Sequence, residues 1–329
     1  MTFHPGEDRE GIIIERLLGS SGYVSGEEIA QRLGISRTAV WNHVSALRRL
    51  GFQIESQPHF GYRLAAEPDV LLSAVVRHDL GADLIARRIV HFDRVASSSD
   101  EAEKLARQGE PEGTVVIVEE QTAGRGRVGR EWRSPRRRGI YLSVILRPAL
   151  SPARVSFLTL CSAVAAQQAI QACAPGIRVS VKLPNDVLIV GRKVCGILTE
   201  LTTEADRINH AVVGVGMNAN HSPEDLAGIP AATSLRIETG GEVSRPALAR
   251  AFLRSLDAQY ALLGGERYAK IIDRWLDASD TVGRRVRVVS LSGERWEGIA
   301  TGLDDDGCLL LRLDTGMTRR VTGGDVTLL

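Results

Sequence analysis

Gly124-Arg125-Gly126-Arg127-Val128-Gly129-Arg130-Glu131-Trp132 is the stretch whose reading decides the fold. Its glycines match G-x-G-x-x-G, the fingerprint of a dinucleotide-binding βαβ unit. Such a unit also needs a helix opening on the last glycine and an acidic residue about twenty positions on for the ribose. Here Ser134-Pro135 and Arg136, Arg137 and Arg138 follow, and no Asp or Glu occurs from Trp132 to Asn185. Both requirements fail, and the Rossmann reading fails with them. A loop of glycines and arginines suits a different role, in which backbone amides and guanidinium forks close over a phosphate and a carboxylate. A basic surface loop touching nucleic acid is the other reading.

Further on stand Val181-Lys182-Leu183-Pro184-Asn185-Asp186 and Gly191-Arg192-Lys193-Val194-Cys195-Gly196-Ile197-Leu198. Lysine is scarce, with only Lys104, Lys182, Lys193 and Lys270 among 41 basic residues. An ammonium in an apolar strand can neutralise a bound carboxylate and the phosphate it attacks. Asp186 falls where the strand ends, and a carboxylate beside phosphates commonly holds Mg²⁺. Pro184-Asn185-Asp186 also reads as a plain turn.

Forty-one basic against 40 acidic side chains in 329 residues exclude a wholesale polyanion binder. Hydrophobic residues at 43% and charged ones at 25% describe a globular chain of two or three domains. No apolar run approaches the roughly 18 residues of a membrane span, and residues 1–11 lack the pattern of a signal peptide. Cys161, Cys173, Cys195 and Cys308 show no C-x-x-C spacing, which predicts reduced, buried thiols in a cytoplasmic protein.

Residues 1–65 read as three helices and a hairpin. Ile12, Ile13, Ile14, Leu17 and Leu18 form an apolar stripe, and Ser25 with Glu28 forms a capping box. Gly34 stops the second helix and Ser36 caps a third over 37–50. Segments 52–54 and 61–64 predict the strands of a wing. Outward positions of the third helix carry Arg37, Thr38, Trp41, Asn42, Ser45 and Arg48, which can donate to phosphates and base edges. The alternative is a solvated face on a unit kept for protein contacts.

Periodicity lapses at Ala65-Ala66-Glu67-Pro68. Strands are then predicted over 88–95, 113–120, 140–147, 179–190, 193–201 and 211–217. Helices are predicted over 100–107, 153–172 and 248–276, the last broken near Gly264-Gly265. This is a mixed α+β domain. The short strands 284–291, 295–303, 308–313 and 319–328 fit a small β-barrel.

The whole chain resembles the biotin protein ligases, in the bifunctional form that is also the biotin operon repressor. Gln121-Thr122-Ala123-Gly124 with the loop that follows to Trp132 is similar to the family's Q-x-A-G-R-G-R-x-G-R-x-W. Lys182-Leu183-Pro184-Asn185-Asp186 resembles K-W-P-N-D, and Lys193-Val194-Cys195-Gly196-Ile197-Leu198 resembles K-x-x-G-I-L. Gly214-Val215-Gly216-Met217-Asn218-Ala219-Asn220 resembles G-x-G-x-N-x-N. Two places depart. Ser97-Ser98-Ser99-Asp100 stands for D-S-T-N, and Leu183 replaces Trp; both bear on ligand packing more than on reaction type.

The resemblance implies an α+β chain of three parts. These are a winged helix-turn-helix DNA-binding domain (1–65), a central class II synthetase-like mixed α/β catalytic domain (66–279) and an SH3-like C-terminal β-barrel (280–329). It implies that biotin and MgATP give biotinyl-5′-AMP and pyrophosphate. A lysine of a biotin carboxyl carrier domain, of acetyl-CoA carboxylase or a similar carboxylase, then takes the biotinyl group. By the family pattern Ser98, Ser99, Gln121, Gly124 and Gly196 serve biotin, with Gly196 admitting the ligand close to a strand. Arg125 and Arg127 serve its carboxylate and the phosphate, and Lys182 bridges the two in the transition state. Arg127, Arg130, Trp132, Asn185 and Asn218 serve ATP and the adenylate, and Asp186 the Mg²⁺. Operator DNA and an adenylate-dependent homodimer are further implied, with no membrane. A ligase whose winged helix does not bind DNA and a lipoate or octanoate ligase of related fold are the alternatives.

Overall fold

The computed structural model describes residues 9–204, 207–290 and 292–329. Most of the stretch read for a signal peptide, 1–8, and the expected strand end at Leu291 lie outside them.

Helices α1 (Arg9–Leu18), α2 (Gly26–Leu33) and α3 (Arg37–Arg49) pack with a hairpin of β1 (Gln53–Gln57) and β2 (Gly61–Ala66). Ile13, Leu17, Ile29, Val40, Val44 and Leu47 form their own core. Ser25 Oγ accepts the Glu27 amide and Ser36 Oγ the Ala39 amide. Gly34 takes the left-handed φ of 63° that ends α2. The expected capping box is half made. The Glu28 carboxylate lies 2.5 Å from Arg16 on α1, where it has a cationic partner across the helix pair.

A five-residue helix α4 (Ser73–Arg77), too short to show periodicity in the sequence, joins this unit to the next. Val70, Ala74 and Val75 pack into the winged core, whereas Leu71 and Val76 pack into the core that follows.

That core surrounds a seven-stranded sheet. In chain order come β3 (Ile89–Phe92), α5 (Ser98–Arg107), β4 (Val115–Val118), β5 (Ile140–Leu146), α6 (Ser156–Cys173), β6 (Val179–Lys182) and β7 (Asp186–Ile189). Then follow β8 (Arg192–Glu204), β9 (Arg207–Met217), α7 (Leu235–Thr239), α8 (Arg245–Gly264) and α9 (Tyr268–Asp277). The order is β3-β4-β5-β9-β8-β7-β6, with β3–β4 parallel and the other neighbours antiparallel. Continuous apolar runs in β4 and β5 are buried on both faces, as a sheet covered on two sides requires. α5 covers Val116, Val118, Tyr141 and Ile145; α6 packs on the other face, backed by α8 and α9. By length and composition 152–173 is apolar enough to cross a membrane, but Phe157, Leu160, Val164 and Ile170 are buried in this core. The expected single strand over 179–190 is corrected to two strands, turning at Leu183-Pro184-Asn185 so that Lys182 pairs across from Asp186. Pro184 has no N–H for a ladder.

The remaining strands are β10 (Arg285–Val289), β11 (Arg295–Leu303), β12 (Leu309–Leu313), β13 (Thr318–Val321) and β14 (Asp325–Leu328), in the order β13-β12-β11-β10-β14. Gly324, at φ 124°, splits the expected strand 319–328. Val286, Val288, Leu309 and Leu311 point inward and continue the central core. Asp306 anchors the barrel to the start of α6, accepting Ser156 Oγ at 2.7 Å on its carbonyl and lying 3.3 Å from Arg154.

Candidate active site

A cavity of about 510 Å³ lies where the β8–β9 hairpin, the first turn of α5 and the arginine loop meet. Its floor is two glycines on neighbouring strands, Gly196 paired with Gly216. The Trp132 indole lies against both. A Cβ on Gly216 would stand 2.3 Å from Trp132 Nε1, and one on Gly196 2.8 Å from Trp132 Cζ3. Gly196 lines the cavity, and the space a Cβ would need is held by Trp132 and by the Lys193 side chain, 3.2 Å from where that Cβ would sit. Among the described residues the buried Trp132 Nε1 has no hydrogen-bond partner, an unspent donor at the floor.

One end of the cavity is neutral and rich in hydroxyls. Ser98 Oγ and Ser99 Oγ lie 2.8 and 3.1 Å from Ser143 Oγ. Gln121 Oε1 accepts the Ser98 amide at 2.8 Å, and Gln121 Nε2 donates to Ser134 Oγ at 2.7 Å. Gly124 stays behind the wall, where a Cβ would come within 2.9 Å of both Gln121 Nε2 and Ser134 Oγ. Motif spacing does not single out Ser143. Its one signal in the sequence is being a lone serine in the otherwise apolar run Ile140–Leu146.

The other end is charged. Lys182 Nζ is 3.6 Å from Asp186 Oδ2, and Lys193 Nζ is 2.5 Å from Asp186 Oδ1. The Lys193 approach lacks hydrogen-bond geometry, so Oδ1 keeps no hydrogen-bond donor. Lys193 also sits 5.4 Å from the Trp132 ring centroid, a cation–π distance. Spacing alone assigns Lys193 no role; the fold sets it beside Lys182. Among the described residues no group of three potential ligands gathers for a metal. Both Asp186 oxygens face ammoniums, so it offers Mg²⁺ a single carboxylate that one of these lysines must yield, with phosphates supplying the rest of the shell. Asn185 Nδ2 donates to the Ile197 carbonyl at 2.5 Å and Asn218 Nδ2 to the Thr233 carbonyl at 2.9 Å, so both amides tie strands and loops while facing the cavity.

The arginine loop closes on itself through a backbone pairing of Arg125 with Glu131 and a turn in which Val128 takes φ 55°. Arg125 lies 2.5 Å from Asp100 and 3.2 Å from Glu200, and the hydrogen bond to Asp100 pushes its guanidinium pKa further up. Arg127 donates to the Gly324 carbonyl at 3.3 Å, and Arg130 pairs with Asp325. The barrel thus holds the loop, and Asp325 joins the cavity wall.

On α3, Arg37, Thr38, Trp41 and Asn42 are exposed and Ser45 is half-buried. Arg48 departs from the expected face: Nε and Nη2 donate to the Ile54 carbonyl at 2.9 and 2.7 Å, bracing the wing.

Three segments match known families: 9–63 a helix-turn-helix domain, 92–218 the biotin/lipoate A/B protein ligase family, and 281–329 the biotin protein ligase C-terminal domain. The bifunctional ligase/repressor BirA of Bacillus spizizenii is 36% identical over 94% of both chains. The chain belongs to the biotin protein ligase family. The biotin--[acetyl-CoA-carboxylase] ligase of Paracoccus denitrificans is 37% identical over 68% of this chain and 93% of its own. The biotin protein ligase of Aquifex aeolicus, solved with biotin and ATP, aligns at a TM-score of 0.61 and 26% identity, covering 74% of this chain and 99% of that one. In this biotin protein ligase fold the hydroxyl end and both pocket lysines fall within the ligase match, and Gly324 and Asp325 within the C-terminal one.

Proposed function

We propose that the protein joins biotin to MgATP, giving biotinyl-5′-AMP and pyrophosphate, and transfers the biotinyl group to a lysine of a biotin carboxyl carrier domain. It also acts as a biotin-responsive transcriptional repressor. One observation carries the ligase half: a neutral hydroxyl pocket and a pair of ammoniums share one cavity under an arginine loop. Ser98, Ser99, Ser143 and Gln121 suit the ureido ring of biotin, which needs both donors and acceptors. The dithiolane of lipoate carries no N–H or carbonyl to exchange for the hydrogen bonds these groups make among themselves, which favours biotin.

In the first step a biotin carboxylate oxygen attacks the α-phosphorus and pyrophosphate leaves. Lys182 and Lys193 offset the negative charge that otherwise keeps the two anions apart. Arg125 and Arg127 hold the carboxylate and the α-phosphate in line. Mg²⁺ enters with ATP as part of the substrate, and Asp186 is the residue that would hold it. Trp132, Arg130, Asn185 and Asn218 serve the adenylate end. In the second step the carrier amine attacks the acyl carbon, AMP leaves with the bonding pair, and the nitrogen loses its proton. The enzyme forms no covalent intermediate.

The exposed Arg37, Thr38, Trp41 and Asn42 read operator DNA, and a homodimer favoured by the adenylate places two such units on it. The domain limits we assign are 1–65, 66–279 and 280–329, and the setting is the cytoplasm, where biotin, ATP and carrier meet. An operator shift with and without biotinyl-5′-AMP tests the repressor half: a tighter complex with the adenylate is expected, and no complex in either state would leave a ligase alone.

A further inference from the structure

Arg245 opens α8 with its side chain fully buried, outside the cavity wall. Its backbone amide and Nε each donate to the Asp69 carboxylate at 2.9 Å, and Nη2 donates to the Asp69 carbonyl at 2.7 Å. In the other direction Nη1 donates to Glu119 Oε2 at 2.7 Å. The second oxygen of Glu119 accepts the Leu71 amide at 3.0 Å. His91 is the other titratable group at Glu119; it lies 3.9 Å away without a hydrogen bond, and burial pushes it toward the neutral form. Among the described residues Arg245 is thus the one cation hydrogen-bonded to the buried Glu119 carboxylate, and it shares its charge with Asp69.

The two ends of this relay have different owners. Asp69 and Leu71 sit in the junction, where Val70 packs into the winged core and Leu71 into the catalytic one. Glu119 directly follows β4 and stands two residues before Gln121, whose side chain holds the Ser98 amide. Buried ion pairs are poor stabilisers, and their best-attested use is to fix one arrangement among several.

We propose that Arg245 and Glu119 are positioning residues that lock the interdomain junction and the strand bearing Gln121 into one unit. The placement of the winged domain is then read at the biotin end of the cavity. Arg245, Glu119 and Asp69 make no hydrogen bond to Lys182, Asp186 or Lys193, so the charged end is spared. This rests on assigning the hydroxyl end to biotin.

The test uses the full chain, with biotin affinity measured by calorimetry without ATP and kinetics followed by pyrophosphate release. Glu119→Gln keeps shape and the Leu71 acceptor but loses the charge. Asp69→Ala acts at the half-exposed end and leaves the buried pair intact. Misplacing a binding group costs affinity before chemistry, so biotin Kd and KM should rise about tenfold in the first and about threefold in the second. The kcat and the KM for ATP should stay within about twofold. Asp69→Asn, which keeps an acceptor for the Arg245 amide, should restore most of the affinity. An unchanged biotin Kd in Asp69→Ala, or equal losses in kcat and both KM values, would overturn the proposal, and Asp69→Ala decides it if Glu119→Gln fails to fold. A wild-type chain that binds no biotin would instead remove the ligase reading beneath it.

Discussion

Lys193 Nζ and Lys182 Nζ lie 2.5 and 3.6 Å from the two oxygens of Asp186. Two ammoniums on one carboxylate leave net positive charge where a carboxylate and a triphosphate must meet. Lys182→Ala and Lys193→Ala should each slow pyrophosphate release by about 10²- to 10³-fold. A loss under about threefold in either would remove that lysine from the chemistry.

Arg127 reaches the Gly324 carbonyl and so ties the arginine loop to the barrel. Arg127→Gly removes this tie and adds backbone freedom, so biotinyl-5′-AMP should dissociate at least about tenfold faster. Stopped-flow chase with unlabelled adenylate measures it; an unchanged off-rate contradicts the capping role.

Gly216 has no room for a Cβ beneath Trp132. Gly216→Ala must displace the indole, which should red-shift its emission and weaken ATP binding while the fold persists. Difference spectra against a Trp132→Phe background isolate the signal, and an unshifted spectrum would show that the ring does not rest on this strand.

His221 is fully buried, and burial holds its pKa down to about 4 against an ordinary 6.5. Its Nε2 lies 3.1 Å from Tyr141 Oη, while Nδ1 is buried with no hydrogen-bond partner among the described residues. The unfolded chain therefore binds this proton more readily than the folded one. The neutral ring costs nothing above about pH 6.5, and stability falls as pH drops from there toward 4, by up to roughly 3 kcal/mol. His221→Gln should flatten that part of the urea-unfolding profile relative to wild type. Parallel profiles would contradict the assignment.

Asn42 is exposed on α3, whereas Arg48 braces the wing. Asn42→Ala should weaken operator binding by about 1–3 kcal/mol without changing thermal stability. Arg48→Ala should lower Tm as well as affinity. Equal stability in both would return Arg48 to the DNA face.

Periodic segments were legible in the sequence: the winged helices, the core strands and α6 all follow apolar spacing. The elements that were not are short or divided. α4 and α7 have five residues each, and 179–190 reads as one run because Val179–Lys182 and Asp186–Ile189 are both apolar strands folded back on each other. Within the site, Arg125 and Lys182 could be named from the residues themselves and Asn218 from the family resemblance, and the fold sets them around one cavity. Ser143, Asp325 and the Arg245–Glu119 pair could not, because each acts through a partner distant in sequence. Gly196 shows the remaining gap: the resemblance marks a position that excludes a side chain, but only packing shows that Trp132 lies against it.

The central claim is that this cavity activates biotin. Incubating the full chain with MgATP, a biotin carboxyl carrier domain and labelled biotin, lipoate or octanoate in turn tests it most directly. The account predicts label on the carrier lysine from biotin alone, dependent on Lys182. Transfer of lipoate or octanoate but not biotin, or biotin transfer undiminished in Lys182→Ala, would contradict it.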